Sequence, residues 1–534
     1  MFVGDILNIT VVRAWEFDST FPVRSIVPIY LCTAIPLQLV KTLSAWSGRV
    51  ISWYSVTVAV RLTVALLSLV TDCATMRLAE WAGRLQFGRG PVSAAVVMAT
   101  SYISLVYYTR TFSNTLETFL FAALLCVVVS RSHKQISDHL SAFVMSTVIV
   151  VGAFNRPTFI VYAAVPYLWW LFGDGVHRAM GKAANSVATA VPVSAVLIIC
   201  DSVYFGNLDI NYLNLFDVGD AVSILRRNLT VTPLNFVWYN VQPGNLAEHG
   251  IHPRFTHWVV NMPLLFNVLT VYLLYDMFWF LLAAGRKFIS MYRRTVMLIM
   301  SCSIPVCLLS IFPHQEPRFL IPLLPVLVAV YACEIATRRG MAAFWIVANL
   351  AGGLFYGFVH QAGVVPCLGY LQQTQSSAVD RYVIFWHTYT APQHLLMLSS
   401  RTQDRDHTGT TSLTSLEGNS VEDLIHHLVL VGGSRSSRNR EKPEVLVAAS
   451  SSEHRYLVRK TAEAGIRLDL NLSFWPHLSV EHLPNVDDVS CRMSAGNCDA
   501  DNDDNDDDDD CCDKTLIERI IFLTSLNLYR VAYV

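Results

Sequence analysis

Charge is the first thing this sequence lacks: Lys, Arg, Asp and Glu together make up only 15% of its 534 residues, against 53% hydrophobic. Soluble domains carry about a quarter charged residues, so the deficit points to lipid rather than to several water-soluble domains. No two of the twelve cysteines stand in CxxC spacing, which excludes zinc-ribbon and thioredoxin-like motifs. Met1–Asp5 offers no basic region followed by an apolar stretch, so no cleaved signal peptide is expected and insertion should rely on the first apolar segment. Internal repeats of the kind that mark transporters are absent. A basic stripe is missing too: net charge is -2, and setting aside the ten aspartates between Asp499 and Asp513 leaves only +8. No nucleic-acid partner is expected.

What the chain has in quantity is apolar runs. They fall near 25–43, 54–71, 91–109, 113–130, 139–154, 157–172, 186–206, 258–284, 295–313, 317–336 and 342–360. Each approaches the roughly 20 residues that cross about 30 Å of hydrocarbon. Arg61, Asp201 and Asp276 lie inside such runs, where a charge costs roughly 2.5–3.5 kcal/mol at a helix centre. They should sit near an interface or face a polar cavity. The expected organisation is a first loop over 1–24, a multi-pass region over 25–384 and a tail over 385–534. A long connecting loop falls at about 207–256, a disordered Ser/Thr/Gly/Asp-rich linker at 399–420 and a solvated acidic insert at 499–513. Within the tail, Leu428–Val431, Val445–Ala449 and Ile520–Leu523 read as strands of a small α/β unit. Cys491, Cys498, Cys511 and Cys512 could pair there in an oxidising compartment. Three glycosylation sequons begin at Asn8, Asn228 and Asn471, none inside an apolar run. If they share one face of the membrane, that face is lumenal.

Three polar clusters could carry chemistry. His314-Gln315-Glu316-Pro317-Arg318-Phe319-Leu320 joins two apolar segments and offers a proton donor, an acceptor and a phosphate-binding fork. A loop anchoring two helix ends is the competing reading. His249, His252 and His257 surround Pro253 without a familiar metal spacing, so no metal is expected and a hydrogen-bonding loop near substrate is. Near the start, Asp5 and Glu16 are the carboxylates that could take a proton from an acceptor hydroxyl.

His314–Leu320 followed by Ile321-Pro322-Leu323-Leu324-Pro325 resembles the His-x-Glu-x-Arg-Phe-Leu-x-Pro signature of glycosyltransferase family 22. Gly4–Leu7, Trp15–Phe17, Phe21–Ser25, Arg156–Phe159, Thr232–Phe236, Tyr239-Asn240, Asn245–Gly250, His387–Tyr389 and Pro476–Ser479 are similar to the branch that adds the fourth mannose to the glycosylphosphatidylinositol (GPI) precursor. The resemblance implies an all-α polytopic membrane protein of GT-C-type glycosyltransferase fold with a small lumenal α/β tail, in the endoplasmic reticulum membrane with a lumenal active site. The reaction it implies passes mannose, with inversion, from dolichyl-phosphate mannose to the third mannose of the GPI precursor through an α1,2 bond. Membrane lipids are the remaining partners, and neither cofactor nor metal is needed. Arg318 would meet the donor phosphate, His314 and Glu316 would organise its loop, and Arg156, His249 and His252 would contact substrate. The family's His-Pro-Asp-Glu motif, source of its expected base, should lie upstream of Gly4. Asp5 and Glu16 are therefore the nearby first-loop acids, and a truncated or catalytically silent paralogue is the alternative. A polytopic lipid transporter or scaffold is the remaining reading.

Overall fold

The computed structural model describes residues 2–83, 90–209, 228–242, 244–245, 250–282, 293–375, 379–398, 411–433, 443–479, 483 and 516–533. Among the described residues each apolar run contains helix. After α1 (Phe2–Leu7) come α2 (Val27–Ser47), α3 (Trp53–Ala82), α4 (Gly90–Ala99), α5 (Ser113–Ser132), α6 (Asp138–Asn155) and α7 (Phe159–Phe172). They continue with α8 (Val176–Tyr204), α9 (Thr232–Val241), α10 (Met262–Phe266), α11 (Val268–Leu282), α12 (Arg293–Leu309), α13 (Pro317–Thr337), α14 (Arg339–Val359) and α15 (Val364–Gln373). Among the described residues only seven (α2, α3, α5, α6, α8, α13 and α14) are long and apolar enough to cross a membrane, fewer than the eleven expected runs.

Proline accounts for part of the difference. A residue before proline is pushed out of the helical region, and Arg156 ahead of Pro157 is extended (φ -153°, ψ 124°), separating α6 from the short α7. Glu316 ahead of Pro317 is extended as well (φ -89°, ψ 145°), ahead of the 3₁₀ turn that opens α13. Both breaks hold a charged side chain at the same end of the bundle.

Helix α13 is the hub, with 78% of its apolar window buried, whereas α8 and α14 bury only 11% of theirs and turn their apolar surface outward. Such outward surface is what lipid covers. Gly48 ends α2 in the left-handed region (φ 66°), and the Ser52 side chain accepts from the Ser55 N–H to cap α3. The chain therefore folds back, and Ala34 and Leu37 of α2 pack against Val56 and Val60 of α3.

The tail holds a five-stranded sheet of order β2-β1-β3-β5-β4, from β1 (Arg381–Trp386), β2 (Thr411–Ser415), β3 (Glu444–Ser450), β4 (Ile466–Phe474) and β5 (Leu526–Tyr533). β1 runs parallel to β2 and β3, and β5 is antiparallel to β3 and β4. Alternation sends Val383, Phe385, Leu446 and Ala448 toward α15, and Ile384, Trp386, Val445 and Val447 toward α16 (Val421–Gly433) and α17 (His454–Glu463). Strand β3, covered on both faces, is an unbroken buried run.

Four tail expectations change. Leu428–Val431 lies in α16 and Ile520–Leu523 in α18 (Leu516–Leu523), since an apolar run of four has no period of its own and its neighbours continue a helical one. Residues 411–420, expected within a disordered linker, supply β2 and the turn before α16, because β1 offers β2 an open parallel edge. The boundary at 384/385 falls inside β1, whose inner face needs the upstream α15. The acidic insert and its four cysteines lie outside the described residues, and the eight described cysteines are unpaired.

Candidate active site at the proline-broken end of the bundle

A cavity of about 480 Å³ opens where the first loop, the 110–113 turn, the Arg156 break, α9 and the 314–319 turn converge. Glu16, Arg24, Arg110, Arg156, His314, Glu316 and Arg318 all reach its wall. Four guanidinium groups against two carboxylates make the space a site for an anion.

The 314–319 wall is held from behind. Gln315 is buried: its side-chain carbonyl accepts the His257 N–H (2.9 Å), and its amide donates to the Ser310 (3.1 Å) and Phe312 (3.1 Å) carbonyls. Asn261 donates to the Gln315 carbonyl at 3.2 Å. The Tyr162 hydroxyl donates to the Phe319 carbonyl, and that of Tyr108 to Ile321 at 2.8 Å. With Gln315 turned inward, His314 and Glu316 point the other way, into the cavity. His314 Nε2 meets Glu316 Oε1 at 2.8 Å, Arg318 Nη2 donates to the same oxygen at 2.7 Å, and Arg318 Nε sits against Oε2. Burial alone would raise the Glu316 pKa, but the His314 hydrogen bond and the Arg318 charge outweigh it and hold the carboxyl at about 2.

The opposite wall is the first loop. Arg24 donates through Nε and Nη2 to Glu16 Oε1, both at 3.3 Å, and through Nη1 to the Asn155 carbonyl at 3.1 Å. Burial, then the neighbouring charge of Arg156, lowers the Arg24 pKa to about 10, so the group stays cationic at neutral pH. Glu16 Oε2 carries no hydrogen bond among the described residues, and a third of the Glu16 side chain (33%) is exposed. Asp201 anchors this loop: it accepts from Ser25 Oγ (2.9 Å), the Ile26 N–H (3.0 Å) and Thr232 Oγ1 (2.9 Å). That explains a carboxylate inside an apolar run. Asp276 has a simpler answer, the Tyr331 hydroxyl at 2.9 Å.

Between the walls, Arg156 lies 3.5 Å from the fully buried Glu117, which also accepts from Asn114 (2.7 Å) and Thr158 (2.9 Å). The Arg156 guanidinium sits 5.0 Å over the Phe319 ring. Trp15 and Tyr239 stack at the rim with centroids 4.6 Å apart.

Of the residues singled out in the sequence, Glu16, Arg156, His314, Glu316 and Arg318 thus line one cavity. Asp5 does not: its carboxylate accepts from the Tyr204 hydroxyl at 2.6 Å and faces Arg13 at 3.5 Å, away from the cavity wall. His252 stands behind the 314–319 turn, its N–H on the Pro313 carbonyl (2.8 Å) and its ring 6.2 Å from that of His314. His249 lies outside the described residues. Sequence reasoning missed Arg24, Arg110 and Glu117 as site residues. Glu117 carried a usable signal, a carboxylate inside an apolar run.

The family model described as Alg9-like mannosyltransferase matches residues 2–398. The chain is 35% identical over 433 residues to human GPI alpha-1,2-mannosyltransferase 4, covering 74% of this chain and 70% of that one. It is 29% identical to Drosophila melanogaster GPI mannosyltransferase 4, covering 91% of this chain and 82% of that one. Among solved structures, ArnT from Cupriavidus metallidurans bound to undecaprenyl phosphate aligns with TM-score 0.44 and 11% identity over 86% of this chain and 92% of that one.

Proposed function

This chain belongs to the Alg9-like mannosyltransferase family, and from that premise we propose that it is a GPI mannosyltransferase. It moves mannose from dolichyl-phosphate mannose onto the third mannose of the GPI precursor through an α1,2 bond, at the lumenal face of the endoplasmic reticulum membrane. The carrying observation is the cavity itself, with an arginine-rich wall facing a carboxylate that has one unengaged oxygen.

In the proposed reaction an acceptor hydroxyl attacks the anomeric carbon and the bond from that carbon to the phosphate oxygen breaks with inversion. The hydroxyl proton goes to a base, and the lipid phosphate leaves with one more negative charge. Of the lining carboxylates, Glu316 is a poor proton acceptor, since three contacts hold its pKa at about 2. Glu16 is the better base, because Arg24 occupies only one of its oxygens. The arginine wall offsets the charge that develops on the departing phosphate. Trp15 and Tyr239 offer flat apolar faces for a sugar at the rim.

The test is complementation of cells that lack the fourth-mannose step, reading whether GPI precursors gain a fourth mannose. A correctly inserted protein that adds none removes the assignment. Orientation is checked separately. Asn8, Asn228 and Asn471 are all exposed, and the Thr10 N–H donates to the Leu398 carbonyl (2.7 Å), joining the first loop to the segment after β1. Endoglycosidase-sensitive glycans at these positions are expected, and chemical labelling that puts Asn8 in the cytosol would overturn the lumenal site.

A further inference from the structure

Two tail stretches singled out in the sequence, His387–Tyr389 and Pro476–Ser479, both meet the end of α14. The last turn of that helix is wider than an α-helical turn. His360 donates its N–H to the Phe355 carbonyl, five residues back (2.8 Å), rather than to Tyr356. His360 then leaves the helix (φ -64°, ψ 113°), and the next N–H, that of Gln361, turns to the Leu478 carbonyl of the tail (3.1 Å). Leu478 in turn donates its own N–H to the Val359 carbonyl (3.1 Å). In a continuing helix the Tyr356 carbonyl would take one of those two N–H groups, from His360 or from Gln361. Here it accepts from Arg110 Nη2 instead, at 2.9 Å, and Arg110 lines the cavity. The other three arginines of the wall are placed by carboxylates: Arg24 by Glu16, Arg156 by Glu117 and Arg318 by Glu316. Among the described residues Arg110 is placed by this carbonyl.

The junction is close and is held from the tail side. His477 donates its N–H to the Thr524 carbonyl (2.7 Å), fixing the 476–478 segment to the turn before β5. A Cβ on Gly363, at the start of α15, would stand 2.8 Å from Leu526 Cβ and 3.0 Å from both His477 Cβ and the Phe474 carbonyl. The bundle and the tail therefore approach as near as the lack of a side chain allows. The His360 ring lies 5.5 Å from that of Tyr389 and 5.7 Å from that of Tyr356, so side chains also link the tail to the residue whose carbonyl holds Arg110.

Resting on the reading above, we propose that the tail is a positioning element for mannose transfer: its Pro476–Ser479 segment, by taking the Gln361 N–H, releases the Tyr356 carbonyl that sets Arg110 in the cavity wall. The tail itself touches no reacting atom. When it is displaced, the Gln361 N–H returns to the helix end and the guanidinium loses its fixed partner.

The test uses the full-length protein in proteoliposomes with two variants. Gly363→Ala wedges the tail away from α15, and Leu478→Pro deletes the N–H given to Val359. Phenylglyoxal, which modifies accessible arginines, is followed at Arg110 by mass spectrometry, with Arg131 at the other end of α5 as the internal standard. Arg110 should be modified several times faster in both variants than in the unsubstituted protein, and Arg131 at the same rate in all three. Misplacement near a reacting centre is costly, so kcat should fall about tenfold while donor and acceptor KM stay within about twofold. Residues that act as one unit are not additive, so Gly363→Ala combined with Arg110→Ala should cost no more than Arg110→Ala alone. The labelling arm needs no turnover; a protein that transfers no mannose sinks the mannosyltransferase reading and leaves this arm to judge the tail. Equal labelling of Arg110 in all forms overturns the positioning role. So does an unchanged kcat in both variants, or losses that multiply in the combined one. Should Leu478→Pro fail to insert, Gly363→Ala decides alone.

Discussion

The cavity's two walls use the same residue types to opposite ends. In the 314–319 turn, Glu316 has both oxygens committed to His314 and Arg318. In the first loop, Glu16 meets Arg24 through one oxygen and keeps the other open to the cavity. A carboxylate held at about 2 is a structural strut, because proton transfer to it is unfavourable near neutral pH. A carboxylate with an unengaged oxygen can serve as a base. The most recognisable motif in the sequence therefore supplies the fixed wall, and the less distinctive first loop supplies the reactive one.

The most direct way to break this contrast is Glu16→Gln, which keeps the shape and removes the basic oxygen. Loss of a general base costs ~10²–10⁴-fold, so kcat for mannose transfer should fall by that order while donor KM stays close to its original value. A fall under about tenfold would deny Glu16 the role of base.

A smaller and different effect is expected from Glu316→Gln. The turn loses charge-assisted hydrogen bonds worth about 2 kcal/mol, and misplacement of His314 and Arg318 should cost roughly tenfold in kcat/KM. Melting should fall together with activity, and by more than in Glu16→Gln, whose amide oxygen can still accept from Arg24. Equal losses of activity in the two variants would erase the distinction between the walls.

The same carboxylate gives a pH signature. Because the folded protein holds Glu316 at about 2, below its unfolded value near 4.5, its contribution to stability is complete above about 4.5 and is lost as pH falls from there toward 2. Melting followed from pH 5 down to pH 3 should steepen on the acid side, and Glu316→Gln should flatten that part of the curve. An unaltered acid slope in the variant would show that the His314–Glu316–Arg318 contacts do not shift this group in solution.

Much of this was legible in the sequence because membrane helices and proline breaks are local signals. The apolar runs are helical, and Pro157 and Pro317 mark where Arg156 and Glu316 leave them. Other features depend on contacts distant in sequence. Nothing near Arg24 announces its bond to the Asn155 carbonyl, 131 residues away, and nothing near Asp201 announces Ser25. The tail misled for a third reason: Leu428–Val431 and Val445–Ala449 are equally apolar, and only the helical spacing of Val421, Leu424 and Leu428 separates α16 from β3.

The smallest expected effect sharpens the contrast within the first loop itself. Asp5 and Glu16 are both acids of this segment, both within reach of an arginine, and the sequence gives no ground for choosing between them. The structure ties the Asp5 carboxylate to the Tyr204 hydroxyl at 2.6 Å and to Arg13 at 3.5 Å, at an exposed position away from the cavity wall. Its neutral isostere should retain the tyrosine contact, and a solvent-exposed ion pair contributes about 0–1 kcal/mol. Asp5→Asn should therefore leave kcat for mannose transfer within about twofold and donor KM unchanged. A loss on the scale of Glu16→Gln would place the proton acceptor at Asp5, requiring the first loop to close over the cavity during turnover, and the reactive wall would have to be redrawn around α1.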